Sequence, residues 1–444
     1  MQYSSLLVRC VIVSAAILGG CAWFSRSSAD ESMFRSDPQH SGVYQSRAIT
    51  AFHKIKWQFH TGGYVVSSPA VAGASVYVGS TDGSLYAIDR ETGALRWKVH
   101  TASRVVSSPA VAAGTVYFGS YDGYFYALDA SNGRLKWKFK TGGERRFAGT
   151  HLHGSQPIAE TMPDVFDVFL SSPVVWKHAV LFGSGDGGVY SLNAASGSLN
   201  WRFKTGDVVH ASPAIADGAV FVGSWDSYFY ALDAVSGRLK WRFKTGDDPD
   251  IHNQVGVQSS AAVLNGTVFF GCRDSHLYAL DARTGEKKWD FPTHGSWVVS
   301  SPAVRAGHVY FATSDSGLLY DLDAKTAKPT FSLNFRSWPM FSSPAIAANM
   351  LYIGSHAGKL IAIDLNQKKV AWTFETAAAK QNGPRYTNPD GTPKYEAAFA
   401  SDFYDDLIVG YAKMMSVGAI LSSPVVSDGT IYVGSTDGSV YALI

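Results

Sequence analysis

The stretch SSPAVAGASVYVGSTDGSLYAIDRETGALRW, residues 67–97, decides the fold because the chain repeats it. A fixed-period repeat has to be interpreted before any other feature, since it indicates that one supersecondary unit is stacked many times. Its opening triplet, Ser-Ser-Pro or a close variant, occurs at eight positions: Ser67, Ser107, Ser171, Ala211, Ser259, Ser300, Ser342 and Ser422.

Each unit reads as strands. Apolar and polar residues alternate and are interrupted by turn signals, which favours β-structure over helix. In the first unit we predict strands over 65–72, 76–80, 85–89 and 95–99, with Asp82-Gly83 as a two-residue hairpin turn at positive φ. Four antiparallel strands repeated eight times predict an all-β, eight-bladed β-propeller.

The ends of the chain predict how the ring closes. The last unit stops at Ile444 after its third strand, and the first strand, 55–60, has no blade before it. We therefore expect the N-terminal strand to complete the last blade, which would remove an exposed sheet edge.

The segment Ala127–Trp137, ALDASNGRLKW, resembles the tryptophan-docking repeat of the quinoprotein (PQQ-like) propeller superfamily, and residues 51–444 share this pattern. The resemblance implies that each Trp packs between neighbouring blades and is structural. Asp321, Ala327, Phe331 and Lys368 depart from the pattern, so looser packing is expected in the sixth and seventh blades. The docking residues are Trp57, Trp97, Trp137, Trp201, Trp241, Trp289 and Trp372.

The first fifty residues read as targeting and tether. Cys10 to Leu18 is apolar but too short to span a bilayer. Leu18-Gly19-Gly20-Cys21 resembles the lipobox of bacterial lipoproteins. The resemblance implies a signal peptide over 1–20, lipid on Cys21, a tether and N-terminal extension over 21–50, and a place on the periplasmic face of the outer membrane. An ordinary secretory signal cut near Ala29 is the alternative.

Composition narrows the classes of partner. With 38 basic and 36 acidic side chains, the chain offers no electrostatic footprint for nucleic acid. Cys272 occupies a position held by Ser80 in the first unit, so we expect a small buried strand residue there and no reactive thiol.

The second Ser of the triplet recurs in every unit. Inner strands of a propeller converge on its axis, so these residues are expected to line the central channel. Packing, with hydroxyls satisfying backbone groups, is the favoured interpretation, and a ligand-binding polar channel is the alternative. The residues are Ser68, Ser108, Ser172, Ser212, Ser260, Ser301, Ser343 and Ser423.

Three inserts interrupt the repeat, at 142–170, 247–258 and 376–420, each between an outer strand and the next inner strand. All three connections lie on one face, where loops on a rigid scaffold tend to carry function. In the first insert, His151 and His153 would point the same way on a strand and could bind a metal, although surface hydrogen bonding is favoured. Arg145 and Arg146 could bind a carboxylate, phosphate or sugar, or be solvated charges.

The other two inserts supply further candidates for a ligand or partner face. In the second, no EF-hand pattern follows the acidic residues, which we interpret as a loop. In the third, the spacing of Phe399, Phe403, Leu407 and Tyr411 predicts a helix that packs on the propeller or acts as a lid or docking element. The candidates are Asp250, His252, Arg385, Tyr386, Asp402, Asp405 and Asp406.

Two functions of different classes follow from resemblance. A lipid anchor with eight blades resembles the propeller lipoproteins of the outer-membrane β-barrel assembly complex (BamB-like), which implies a monomeric, non-catalytic scaffold that binds envelope proteins. The alternative is a PQQ-dependent dehydrogenase holding PQQ and Ca²⁺ to oxidise an alcohol or sugar. Against it, the sequence has neither adjacent cysteines nor a Cys-x-x-Cys-His haem motif. A hydrolase or lyase that pairs His151 with acidic residues 402–406 lacks a nucleophile motif.

Overall fold

Each repeat unit folds into four antiparallel strands, as the alternating pattern predicts. The structure is a computed structural model and describes residues 32–246 and 256–444. Within these residues eight sheets form the blades of a propeller, so the predicted fold class is confirmed. No helix in the described ranges has the length and hydropathy to cross a bilayer.

The innermost strand of each blade is short and mostly buried. These strands are β3 (Ala70–Ala72), β7 (Ala110–Ala112), β13 (Val174–Trp176), β17 (Ala214–Ala216), β21 (Ala262–Leu264), β25 (Ala303–Arg305), β29 (Ala345–Ala347) and β33 (Val425–Ser427). The second strands are β4 (Ser75–Gly79), β8 (Thr115–Gly119), β14 (Ala179–Gly183), β18 (Ala219–Gly223), β22 (Thr267–Gly271), β26 (His308–Ala312), β30 (Met350–Gly354) and β34 (Thr430–Gly434).

The third strands are β5 (Ser84–Asp89), β9 (Tyr124–Asp129), β15 (Gly188–Asn193), β19 (Tyr228–Asp233), β23 (His276–Asp281), β27 (Leu318–Asp323), β31 (Lys359–Asp364) and β35 (Ser439–Leu443). The outer strands are β2 (Ile55–His60), β6 (Leu95–His100), β10 (Leu135–Lys140), β16 (Leu199–Lys204), β20 (Leu239–Lys244), β24 (Lys287–Pro292), β28 (Pro329–Asn334) and β32 (Lys369–Glu375). Second and third strands are almost wholly buried because neighbouring blades cover both faces, whereas outer strands alternate.

The ring closes through β2. This strand pairs antiparallel with β35, with Ile55 opposite Leu443 and His60 opposite Ser439. The last blade is thus assembled from both ends of the propeller, as the unmatched terminal strands predict.

The docking tryptophans link each blade to the next by a hydrogen bond. The indole Nε1 of Trp97 donates to the carbonyl of Ala130 at 3.1 Å, and Trp57 does the same to Arg90 at 2.9 Å. Trp372 donates to Ile49, which precedes β2 in the chain. Phe331 has no N–H to donate, so the sixth blade lacks this link to the seventh.

The departures in that region are nevertheless accommodated. The buried Asp321 accepts hydrogen bonds from His308, at 2.8 Å to Nδ1, and from the Thr330 hydroxyl. Ala327 and Lys368 adopt φ of 59° and 53°, in the left-handed region that other copies fill with glycine. Core residues such as Leu322 remain fully buried, so the expected loosening is not seen in the sheet core.

The loop between the second and third strands differs from the predicted hairpin. Only Gly83, at φ 89°, has positive φ, and the loop covers four residues, 80–83. Asp82 instead accepts hydrogen bonds from the backbone N–H of Ser84, at 2.8 Å, and of Gly62, at 2.9 Å, and from the Tyr86 hydroxyl. An Asp in this loop bonds a third-strand Tyr hydroxyl in six blades, and the other five are Asp122, Asp186, Asp226, Asp274 and Asp437.

Residues 32–44, named here the N-terminal plug, run across the inner strands on the side away from the inserts. Its carbonyls accept hydrogen bonds from one backbone N–H group in each of five blades. The donors are Val111, Ile215, Val263, Val304 and Ile346. The segment ends in β1 (Val43–Tyr44), which adds a parallel strand to β29. The stretch 34–44 therefore packs on the propeller, and it does so at the channel mouth.

Candidate functional site

The central channel is closed and holds no ligand-sized space. The second serines of the eight triplets form a ring around the axis, and we call them the ring serines. The hydroxyl of each accepts a hydrogen bond from the backbone N–H of the preceding ring serine, at 2.8–3.1 Å. The cycle closes where the N–H of Ser423 donates to the hydroxyl of Ser68. The remaining cavity has a volume of about 40 Å³. Phe34 of the N-terminal plug bounds it, as do Phe169 and Leu170 of the first insert. This is space for about one water, which favours packing as the role of the serines.

The first and third inserts form one cap over the opposite mouth. The first contains the strands β11 (Ala148–Thr150) and β12 (Thr161–Pro163), and the third contains α1 (Ala377–Asn382) and α2 (Tyr404–Met415). Gln156 N–H donates to the Asp402 carbonyl at 2.9 Å, and Tyr404 N–H donates to the Gln156 carbonyl at 3.0 Å. We call residues 142–170 and 376–420 together the insert cap.

A buried ion pair fixes the first insert to the propeller. Arg273 Nη1 lies 2.5 Å from Asp164 Oδ2, and both side chains are fully buried. The guanidinium carbon lies 3.7 Å from the ring centre of Trp297 and 4.7 Å from that of Trp225. His153 Nε2 lies 3.0 Å from the other oxygen of Asp164. Burial alone would raise the pKa of Asp164, but Arg273 and then His153 hold it well below its usual range.

A second buried pair lies closer to the axis. His210 Nδ1 is 2.7 Å from Asp167 Oδ1, and its Nε2 is 3.7 Å from Glu144 Oε2. Burial alone would lower the pKa of His210, but Asp167 and then Glu144 outweigh it and raise the pKa to about 9. His210 is therefore a buried imidazolium at neutral pH.

A mainly apolar cavity lies between the insert cap and the sixth and seventh blades, and we call it the insert chamber. Its volume is about 600 Å³. Its walls are mainly aromatic and aliphatic, with polar groups from His151, His153, Asp315 and His356. Burial lowers the pKa of His356 to about 3, so this ring is neutral. The apolar lining is Phe166, Trp297, Pro339, Phe341, Tyr395, Phe399, Leu407, Tyr411, Met414 and Met415.

A smaller groove follows the other side of α2. Its volume is about 390 Å³, and it is lined by Tyr64, Ile408, Tyr411 and Met415 among others. Arg104 and Arg146 contribute positive charge to the same groove. This surface is named the α2 groove.

The structure separates the residues of the first insert that the sequence singled out together. Arg145 pairs with Asp207 at 2.6 Å on the surface, whereas Arg146 lines the α2 groove. His151 and His153 both line the insert chamber, but the prediction of a shared strand is wrong: they flank Leu152 in left-handed conformations, at φ 54° and 57°. Among the described residues no group of three His, Cys, Asp or Glu is arranged to hold a metal ion.

In the third insert the helix begins later than the aromatic spacing predicts. Phe399 and Phe403 precede α2: the former packs against the apolar core beneath the cap, while the latter is 56% exposed. Arg385 is exposed beside the buried Tyr386, at 5.6 Å from its ring centre. Asp402 and Asp405 are exposed, and Asp406 accepts from the Ser401 hydroxyl. Cys21, Asp250 and His252 lie outside the described residues.

Sequence reasoning missed Arg273, Asp164, Asp167, His210 and Asp315. A signal existed for the first, because the residue before the loop Asp varies from blade to blade while its neighbours repeat. It is Thr81, Tyr121, Gly185, Trp225 and Arg273 in the first five units. Variation within a fixed frame marks side chains that meet the inserts.

Comparison with known proteins identifies the family. The family described as outer membrane protein assembly factor BamB matches residues 49–166, 167–296 and 277–443. No curated protein sequence matches the chain.

Solved structures of the same fold include proteins of two kinds. BamB from Moraxella catarrhalis matches with a TM-score of 0.60 at 15% identity, over 88% of this chain and 97% of that one. A europium-containing methanol dehydrogenase matches at 0.64 and 15%, over 94% and 98%. The quinohemoprotein alcohol dehydrogenase from Comamonas testosteroni matches at 0.64 and 15%, over 93% and 80%. At this identity they show the fold alone, and the family match shows that the chain belongs to the BamB family of propellers.

Proposed function

We propose that this protein is a non-catalytic propeller of the bacterial envelope that binds partner proteins through its insert cap, in the assembly of outer-membrane proteins. The observation that carries the proposal is the exposed apolar face of α2. Ile408 and Val409 are 43% and 49% exposed, and Phe403 at the start of the helix and Ile158 in the first insert are also exposed. An apolar patch of this kind on a solvent-exposed surface is typical of a protein interaction site.

The α2 groove adds chemistry to that patch. Arg104 lines this groove, with its guanidinium carbon 4.0 Å from the ring centre of Tyr121. Together with Arg146 it gives an apolar groove a positive end. We infer that the partner contributes an apolar segment bearing a carboxylate, since such a segment would complement both features.

The quinoprotein alternative has to be tested against the residues present. PQQ is a tricarboxylate, and the insert chamber has Asp315 as its one formally charged lining residue, the histidines aside. The nearby Arg273 is already paired with Asp164. The closed axis leaves about 40 Å³. Neither the donor set of the insert chamber nor the space at the axis therefore fits PQQ with a divalent cation, and we derive no catalytic step from it.

The scaffold proposal is tested by site-specific photo-crosslinking in cells. A photoreactive residue at Val409 is expected to crosslink to a component of the β-barrel assembly complex, identified by mass spectrometry. The matched control is Val235, which is 73% exposed in a turn on the opposite face. Equal crosslinking from both positions, or none from Val409, would contradict the proposal.

A double variant, Ile408→Ser with Val409→Ser, separates binding from folding. With the photoreactive residue placed at Phe403 instead, we expect the double variant to lose the crosslinked partner while its thermal unfolding changes little, because both side chains are exposed. Retention of the partner would mean that another surface binds it.

Lipid attachment at Cys21 belongs to the same proposal. The variant Cys21→Ser is expected to move the protein from the membrane fraction to the soluble periplasmic fraction. Recovery of the variant in the membrane fraction at the wild-type level would count against a lipid anchor.

A further inference from the structure

We propose that the insert chamber is a binding site for an organic cation with an apolar body, such as a quaternary ammonium compound. The inference concerns a different cavity from the α2 groove, although Tyr411 and Met415 line both. It concerns a small molecule, for which the chamber has ample volume at about 600 Å³.

The walls supply an aromatic cage. Six aromatic rings line the chamber, and Phe166 stands edge-on to Tyr411 and Trp297 with ring centres 5.1 and 5.9 Å apart. The faces of such rings carry negative potential, and a cation close to several of them is attracted by each. The sulfurs of Met414 and Met415 add polarizable surface. The rings are Phe166, Trp297, Phe341, Tyr395, Phe399 and Tyr411.

One carboxylate stands at the exposed rim of this cage. Asp315 occupies the loop position of Asp82, but its loop is one residue longer, since Ala312 to Leu318 replaces Gly79 to Ser84. It accepts a hydrogen bond from Ser314 at 2.7 Å and does not bond a third-strand tyrosine, as the other loop aspartates do. The longer loop thus releases a carboxylate from its structural role and exposes it at the chamber.

Among the described residues that line the chamber there is no lysine or arginine to oppose a bound cation. Arg273 lies behind Trp297 and is neutralised by Asp164 at 2.5 Å. His356 is neutral, and burial lowers the pKa of His153 despite its contact with Asp164. The seventh blade, which faces the chamber beside Asp315, has Ala357 where other loops have Asp.

The experiment compares a cation with its neutral isostere. Binding of choline and of 3,3-dimethylbutan-1-ol, which replaces the charged nitrogen by carbon, is measured by calorimetry on the purified chain. Benzyltrimethylammonium, with its larger apolar body, is measured in parallel. We expect choline to bind about tenfold tighter than its isostere, as one or two cation–π contacts imply. Equal affinities, tighter binding of the neutral compound, or no binding of either cation would overturn the proposal.

Variants of residues at the chamber test whether the cation binds there. Asp315→Asn is expected to weaken cation binding about tenfold with little change in the isostere, whereas Asp405→Asn, an exposed carboxylate on α2, is expected to change neither. Tyr395→Phe keeps a ring at the chamber rim and is expected to keep binding, and Tyr395→Leu is expected to lose it. Binding that survives both Asp315→Asn and Tyr395→Leu would show that the cation binds elsewhere.

Discussion

The two ends of the central channel are closed by different means. The N-terminal plug is held by backbone hydrogen bonds and by the buried Arg35, which donates to the carbonyls of Pro344 and, at 3.0 Å, of Pro302. The insert cap is held by buried ion pairs, Arg273 with Asp164 and His210 with Asp167. Backbone partners are present whatever the side chains are, whereas an ion pair depends on two particular residues and on pH. We therefore expect the cap to be the end that mutation and a rise in pH above neutrality can open.

The largest effect is expected from breaking the Asp164–Arg273 pair. Asp164→Ala leaves a guanidinium buried without its carboxylate, which should cost about 3–5 kcal/mol. The free energy of unfolding is measured in urea, and amide exchange over 148–170 should rise. Asp402→Ala, an exposed carboxylate in the same cap, is the control. The double variant Asp164→Leu with Arg273→Met should recover much of the loss, and a single-variant cost no larger than that of the control would be inconsistent with an ion-paired cap.

The next effect concerns pH. The pKa of His210 is raised from 6.5 to about 9 in the folded protein, so its contribution is fully present below pH 6.5 and is lost as pH rises toward 9. The full loss should be about 3 kcal/mol. Urea unfolding from pH 6.5 to 9 measures it, and His210→Asn should flatten the curve. An equal decline in the variant would assign the pH dependence to other groups.

The smallest of the three effects is expected at the other end. Arg35→Met removes two hydrogen bonds from a charged donor, but it also removes a buried charge that is costly to desolvate, so the net cost should be about 2 kcal/mol. Burial lowers the pKa of Arg35 to about 10, so it stays charged near neutrality and this loss should not vary between pH 6 and 8. Arg385→Met, at an exposed arginine, is the control for thermal and urea unfolding. A pH-dependent loss for Arg35→Met would erase the contrast between the two ends.

The sequence predicts the repeated parts of the structure better than the inserts. Blades, ring closure and the axial position of the serines were predictable because each copy of the repeat constrains the others. The inserts occur once each, so no second copy fixes their conformation. The aromatic spacing placed Phe399 in a helix and so predicted too early a start for α2. Likewise, two histidines separated by one residue, His151 and His153, were not enough to imply a strand.

The ion pairs could not be predicted from the sequence for a further reason. Asp164 and Arg273 are far apart in the chain and meet only because the first insert turns across the axis to the fifth blade. Nothing in a single sequence indicates that these two residues are in contact. The irregular position occupied by Arg273, by contrast, could have been recognised by aligning the eight units with one another.

The closure through β2 has a consequence for the order of events during synthesis. Residues 55–60 leave the ribosome before the seven blades that lie between them and their partner strand, 439–443, which follows those blades. Arg35 likewise has to wait for Pro302 and Pro344. Strand β2 is therefore made early but paired late, and until it pairs, β2 and β35 each present an unpaired edge that can bind another chain.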